Sequence, residues 1–425
     1  MKIGFVSLPV YGHLNPMTAL ARKLRKRGHE VSFIGVRDAE NPVKAAGLNF
    51  ICYCENEYPL GSDLYAPVLK LHGLDVVKCA GQVVLPPFIN AALEHLPEKL
   101  AGAGFDLLVL DAVHFFIELV PMSMGIPYVH IWTGLDIDFS GVTPASFFDW
   151  PLDTAPEARE RNVQSLQEVA GSVFPSILAV AAPQAEKLGL KIDWHDPVAT
   201  VSKLAVIAQY PQEFDFPGIP RPSHFHYSGP FHDEDAREPV PFPWEKLTGN
   251  PLIYASMGTL LNRSPQVFNV ILESAAKLPE VQVVLSVGED IGIDNLPPIP
   301  SNAIVVERAP QLELLKHTQL CLTHAGLNTA LEALAQGVPM VAIPVGFDQP
   351  GVAARIAHHG VGDFVGVDER LTVESVTGLI RKVMGNPTYR QRANDLKEVI
   401  ARANGLDLAA NLVEKAYRTA HGGAL

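Results

Sequence analysis

Three places along the chain put polar side chains where an open parallel sheet presents its ligands, beyond the carboxyl ends of its strands. His13 follows the first apolar run. Asp111 closes the run Phe105-Asp106-Leu107-Leu108-Val109-Leu110-Asp111. The segment Thr323-His324-Ala325-Gly326-Leu327-Asn328-Thr329 lies between a strand end and a helix start. An imidazole oriented at one nitrogen by a carboxylate can take a proton from a hydroxyl at the other, and the carboxylate stabilises the imidazolium that forms. A helix N-terminus close to His13 favours its neutral, basic form. By spacing alone, His13 and Asp111 read equally well as two unrelated strand-end residues.

The third segment has the logic of an anion site. A helix N-terminus offers unpaired N–H groups and the positive end of the dipole. Gly326 lets the backbone approach, His324, Asn328 and Thr329 add donors, and Glu332 one turn on can accept a hydroxyl. Asn328 and Thr329 also serve simply as helix caps. Other patterns are weaker. Asp136-Ile137-Asp138 is a D-x-D, a metal and diphosphate grip in some sugar transferases, but a solvated loop is the better reading of so short a match. Pro121-Met122-Ser123-Met124-Gly125 lacks the first glycine of a nucleophile elbow, and no G-x-G-x-x-G follows a first strand. His224, His226, His358 and His359 have no third ligand at metal spacing and read as surface histidines.

The elements that must position these residues alternate. Lys2 to Pro9 reads as a strand, Asn15-Pro16 as the N-cap and first-turn proline of a helix, and Gly28 as its C′ residue. His29–Gly35, Phe105–Asp111 and Pro127–Trp132 are further strands, continuous and apolar as in a sheet covered on both faces. A helical stretch spans about Glu157 to Leu188 despite Pro175 and Pro183. A second α/β unit starts at Leu252, with strands at 281–287, 303–306, 320–323 and 338–343 and a helix from Leu327 to Gln336. Between the units lies a proline-rich passage holding the acidic cluster Asp233-Glu234-Asp235. Strands alternating with helices predict doubly wound parallel sheets. Two such halves imply a cleft between them.

Composition bounds the function. A chain of 425 residues predicts two or three packing units, and 48% hydrophobic with 19% charged residues describes a folded one. A net charge of −13 disfavours nucleic acid and anionic lipid. Cys52, Cys54, Cys79 and Cys321 form no disulfide framework, so a reducing compartment is expected. The apolar run Ile3–Val10 is too short for a secretory signal, and no uninterrupted apolar stretch has the length of a spanning helix. The expectation is a cytoplasmic enzyme.

The residues also resemble a known family. Arg308-Ala309-Pro310-Gln311, His317, Thr323 to Thr329, Glu332, Gly337-Val338-Pro339-Met340, Pro344 and Asp348-Gln349 follow the order and spacing of the nucleotide-sugar signature of UDP-dependent glycosyltransferases with the GT-B fold. Gly12-His13-Leu14-Asn15-Pro16 is similar to the segment carrying that family's catalytic histidine, and Asp111 falls at its partner aspartate. Ala330-Leu331-Glu332-Ala333-Leu334 and the run from Asp348 to Arg355 look most like bacterial carotenoid (zeaxanthin) glucosyltransferases. The chain departs from plant members at Arg308, Leu327 and Ile343, where they carry tryptophan. A guanidinium can also stack on a base, which leaves uracil against thymine open.

The resemblance implies an α/β GT-B fold of two Rossmann-like domains facing a central cleft. The expected division is an acceptor-binding domain over 1–230, a linker over 231–250, a nucleotide-sugar-binding domain over 251–405 and a C-terminal helix or tail over 406–425. By resemblance His324, Gly326, Asn328, Thr329 and Thr259 hold the diphosphate, Gln311 and Glu332 the ribose, and Asp348 and Gln349 the sugar, where the glutamine favours glucose. Arg308 and Ala309 complete the donor set. His13 is the base and Asp111 its partner, while Phe115, Phe116, Trp132, Phe147 and Phe148 face the acceptor. The implied activity is inverting, metal-independent transfer of a hexose, glucose by preference, from UDP to a hydroxyl of an apolar carotenoid, phenolic or polyketide. No cofactor or metal is expected, the donor being a co-substrate. A carotenoid acceptor would bring transient membrane contact. The rival readings are a nucleotide-sugar 2-epimerase on the same fold, a non-catalytic nucleotide-sugar binding protein, and a metal-dependent transferase using Asp136 and Asp138.

Overall fold

The computed structural model describes residues 1–233, 240–262, 264–288, 291–368 and 370–422. Glu234 and Asp235 of the acidic cluster lie outside the described residues.

The first half is a seven-stranded sheet. Its strands are β1 (Lys2–Val6), β2 (Glu30–Gly35), β3 (Asn49–Cys52), β4 (Leu107–Asp111), β5 (Tyr128–Trp132), β6 (Val206–Ala208) and β7 (Phe225–Tyr227), ordered β3-β2-β1-β4-β5-β6-β7. The second is six-stranded, with β8 (Leu252–Ser256), β9 (Gln282–Ser286), β10 (Ala303–Val306), β11 (Thr318–Thr323), β12 (Met340–Ala342) and β13 (Gly362–Phe364), ordered β10-β9-β8-β11-β12-β13. Every pairing is parallel. All five residues of β4 and all five of β8 are buried, as strands covered by helices on both faces must be.

Each sheet reverses its winding once, between β1 and β4 and between β8 and β11. A crevice opens at such a switch point because the flanking connections leave to opposite faces. The register Val6↔Leu110 sets the ends of β1 and β4 level, so His13 and Asp111 come to one crevice. Thr323↔Ser256 does the same for the segments after β11 and β8.

The first helix differs from expectation. It spans Tyr11–Lys26, so Asn15 and Pro16 lie inside it and His13 sits in its first turn. Val10 is extended and its carbonyl takes the His13 and Leu14 N–H groups, which starts the helix early. Pro16 is tolerated because its only loss is one bond, the N–H that would reach the Gly12 carbonyl. Gly28, at φ +91°, is the C′ glycine as predicted. The helix Pro156–Lys187 runs unbroken through Pro175 and Pro183.

The last helix, Gly405–Ala420, returns to the first half. Ala409, Ala410, Val413 and Ala416 join Leu20 and Leu24 in its core. Arg27 adds ion pairs to Asp407 (2.7 Å) and Glu414 (3.3 Å), but these half-exposed pairs are worth at most about 1 kcal/mol each. Apolar burial, roughly 0.8 kcal/mol per methylene, is what seats the helix. The chain crosses itself where this helix begins: a Cβ on Gly405 would lie 2.5 Å from the Gly229 carbonyl oxygen, so only glycine fits. Two stretches, Leu74–Ala101 and Pro156–Lys187, are long and apolar enough by composition to cross a membrane, and their most apolar windows are 61% and 28% buried here.

Candidate active site

His13 and Asp111 meet. His13 Nδ1 lies 2.7 Å from Asp111 Oδ2. The carboxylate is fully buried and also accepts from Ser7 Oγ (2.9 Å), the Leu8 N–H (3.4 Å) and the Val113 N–H (3.2 Å). A carboxylate can only accept, so Nδ1 must carry the proton, and Nε2 is the nitrogen left for a substrate. Thr133 Oγ1, which the sequence reading missed, stands 2.8 Å from the same Nδ1. Burial pulls the His13 pKa down, but the charge of Asp111, its hydrogen bond and the nearby Asp348 outweigh burial and leave it above the ordinary 6.5. The expected pull of the helix N-terminus toward the neutral ring is therefore the smaller effect. Asp111 responds in kind: burial raises its pKa, and His13 with the N–H and O–H donors brings it below the ordinary value.

His324 occupies the opposite wall. Its ring is clasped by glycines: a Cβ on Gly326 would lie 2.3 Å from Nε2, and one on Gly258 2.5 Å. Ala325 takes φ +62° to make the turn, a strained conformation for a residue with a Cβ. Nδ1 is buried without a hydrogen-bond partner. Burial drives the ring's pKa down to about 4, so it is neutral at working pH. A buried unpaired polar atom costs about 1–3 kcal/mol, a cost that a ligand oxygen would remove.

Around it the remaining candidates converge. Gln311 Nε2 reaches Glu332 Oε2 at 2.5 Å, and its Oε1 accepts from the Tyr254 hydroxyl at 3.0 Å. Asp348 Oδ2 accepts the Leu135 N–H at 2.9 Å, a bond between the two halves. Gln349 Oε1 is committed to the Val345 and Gly346 N–H groups (2.8 and 3.2 Å), so only its NH2 can read a ligand. Thr259 and Arg308 are exposed and line the same cavity, as do Ala309, Gly326 and Thr329.

That cavity, about 900 Å³, runs between the halves and holds His13 and His324 in one space. Of the aromatic residues expected at the acceptor, Phe115, Trp132 and Phe147 line it. Phe116 and Phe148 do not. Phe116 turns at φ +63° onto Trp194, and Phe148 stacks on Trp150 at 4.2 Å. Leu166, Val169, Val173 and Phe174 of the long Pro156–Lys187 helix take their place, and the sequence reading missed them because a helical stripe does not say which surface it covers.

The D-x-D is neither solvated nor available to a metal. Asp136 is buried with Arg221 and the Tyr210 hydroxyl, and Asp138 accepts from Ser140 and Thr143 to close a turn. His359, expected at the surface, is instead half-buried with Nε2 3.0 Å from the Phe214 carbonyl. Asn328, expected at the diphosphate, lines the cavity but also donates to the Gly12 carbonyl at 2.6 Å across the halves. Such an arrangement can abstract a proton at His13, bind an anion by neutral donors at His324, and shelter an apolar molecule.

Residues 199–424 match the model of a protein family described as UDP-glucoronosyl and UDP-glucosyl transferase. The chain is 26% identical to a zeaxanthin glucosyltransferase of Pantoea ananas over 97% of its own length and 95% of that protein. It is 28% identical to a demethyllactenocin mycarosyltransferase of Streptomyces fradiae, over 97% and 86%. Among solved structures, the glycotransferase of kitacinnamycin superposes with a TM-score of 0.75 at 22% identity over 98% of both chains. A spinosyn rhamnosyltransferase complexed with thymidine diphosphate gives 0.69 at 19%, over 97% and 100%. The fold is GT-B, as the sequence resemblance predicted.

Proposed function

The chain belongs to the UDP-glucoronosyl and UDP-glucosyl transferase family and is a glycosyltransferase, and from that premise we propose that it moves a hexose, glucose from UDP-glucose, to a hydroxyl of an apolar small molecule with inversion. The observation that carries this reading is the pairing of His13 with buried Asp111 in the same cavity as the unpartnered Nδ1 of His324. The acceptor O–H gives its proton to His13 Nε2 as its oxygen attacks the anomeric carbon. The bond from that carbon to the β-phosphate oxygen breaks, and the diphosphate leaves with the bonding pair. Attack from the face opposite the leaving group inverts the centre through an oxocarbenium-like state. Asp111 stabilises the imidazolium, and the His324 N–H with the N-terminus of the Leu327–Ala335 helix takes the charge on the diphosphate.

The apolar lining supports an extended hydrophobic acceptor, in keeping with a relative named for zeaxanthin. Metal-independent transfer is supported by the commitment of Asp136 and Asp138 to protein partners, and a chelator is expected to leave the rate unchanged. A thymidine-diphosphate sugar is the second donor reading, favoured by Arg308 and by the neighbour solved with thymidine diphosphate.

The test is acceptor-dependent diphosphate release, with the product anomer read by NMR. His13→Ala should lose about 10²–10⁴-fold in kcat while UDP still raises the melting temperature. Retained transfer in that variant would remove the base assignment. The active base is the neutral imidazole, so the rate should fall as pH drops through the raised His13 pKa, above 6.5 in the free enzyme. Asp111→Asn, which removes the raising charge, should move that limb to lower pH.

A further inference from the structure

Four hydrogen bonds close a ring through both halves of the molecule and through the base. Gln209 follows β6 and is 1% exposed. Its Nε2 donates to the Thr133 carbonyl at 2.6 Å and to Asn328 Oδ1 at 2.8 Å. Asn328 Nδ2 donates to the Gly12 carbonyl at 2.6 Å. Thr133 Oγ1 meets His13 Nδ1 at 2.8 Å, and Gly12 is the neighbour of His13 in the chain. Asn328 is the second residue of the helix Leu327–Ala335, whose first turn faces the donor side of the cavity.

The polarity of this ring is determined at both ends. The Thr133 and Gly12 carbonyls can only accept, so both must be met by amide NH2 groups, and the two side-chain amides then join NH2 to oxygen in one sense only. Pro16 supplies the free acceptor. It has no N–H for the Gly12 carbonyl four residues back, so that carbonyl is open to a donor from the other half. The Leu135 N–H, two residues after Thr133, reaches Asp348 Oδ2, so the Thr133–Leu135 segment is bonded to the opposite half at two points.

We propose that Gln209 is a positioning residue that ties His13, through Thr133 and Asn328, to the donor helix, so that the base is held in place only when the two halves are closed. Gln209 does not line the main cavity and touches no reacting atom in this scheme. The inference rests on the reading of His13 as the base.

The test is a double-mutant cycle of Gln209→Met and Thr133→Val, with kcat, the donor KM, the pH–rate profile and the UDP thermal shift measured for each. Gln209→Met removes both donated bonds at nearly constant volume. Thr133→Val removes the hydroxyl facing Nδ1 and keeps the backbone carbonyl. Each single variant should lower kcat by about 10–100-fold and displace the acid limb, with the UDP thermal shift retained. The double variant should fall little below the worse single, because both act on one ring. An unchanged kcat and acid limb in folded Gln209→Met, or fully additive losses, would overturn the proposal. Should Gln209→Met fail to fold, Thr133→Val decides: an unchanged acid limb there overturns it equally. His13→Ala run in the same assay separates the two readings, since retained transfer in that variant indicts the base and not the ring.

Discussion

Two glycines and a histidine show how much one side chain can depend on the absence of others. The His324 ring fills the space that a Cβ would take at Gly258 and at Gly326. Gly258 sits at φ +74°, so any substitution there also strains the backbone. Gly326 has φ −62°, which alanine adopts freely. Gly326→Ala is therefore the cleaner probe: the chain should fold with nearly unchanged melting temperature while the imidazole is pushed off its seat. We expect UDP affinity to fall about 10–100-fold, roughly 1.4–2.8 kcal/mol, measured by titration calorimetry. The His324 donor is neutral above pH 4, so the donor KM of the wild type should change little between pH 6 and 8. The glycine in this segment was legible as a close approach, but what approaches it was not. The residue that needs the space is two positions away, and only the turn through Ala325 folds it back.

At the scale of elements, the strands were the most legible part. The continuous apolar runs ending at Asp111, Trp132 and Thr323 became β4, β5 and β11, because a strand covered on both faces has no polar side to interrupt its sequence. Short β3, β6, β7 and β13 were not read, since three or four residues carry too little pattern. The loop after β4 holds a feature with a measurable consequence. His114 is 1% exposed, stacks on Phe88 at 5.0 Å, and has an unpartnered Nδ1. Burial lowers its pKa to about 4. The unfolded chain, with an ordinary histidine near 6.5, binds the proton that the folded one refuses, so stability is lost as pH falls through 6.5 toward 4. The loss should be about 2 kcal/mol between pH 7.5 and pH 5 from this group. His114→Phe keeps the stacking and removes the titration. Urea denaturation at the two pH values should show a correspondingly smaller drop, with the remainder carried by His324.

Across the whole molecule, a buried ionic cluster joins the halves behind the site. Arg355, on the helix Gln349–His358, gives two bonds to Asp215 Oδ1 (2.9 and 2.7 Å) and stacks over Phe216. Asp215 also accepts from Arg221 at 3.0 Å and the Tyr227 hydroxyl at 2.7 Å. Arg355→Met would leave Asp215 buried with half its donors, and removing one partner of a buried pair costs about 3–5 kcal/mol. The lower end is expected here because Arg221 remains. Lysine should not rescue, since one ammonium cannot reproduce the planar pair of bonds. The variant's melting temperature and its donor KM should both worsen, because the same helix begins with Gln349; a KM unchanged in the folded variant would show that the cluster does not reach the sugar side.

The order of apolar runs was enough to specify two parallel sheets, since strand and helix periodicities are local properties of the chain. The spacing from Arg308 to Gln349 specified a nucleotide-sugar site for a similar reason: most of its residues sit on consecutive turns and strand ends of one unit. Tertiary structure decided what no local pattern contains. It brought Asp111 to His13 through the level ends of β1 and β4, turned Phe116 and Phe148 away from the cavity, and buried Asp136 and Asp138 among their own partners. It also joined Gln209 to Asn328. Such contacts join residues scores or hundreds of positions apart, and they depend on the packing of whole elements and not on the identity of neighbours in the chain.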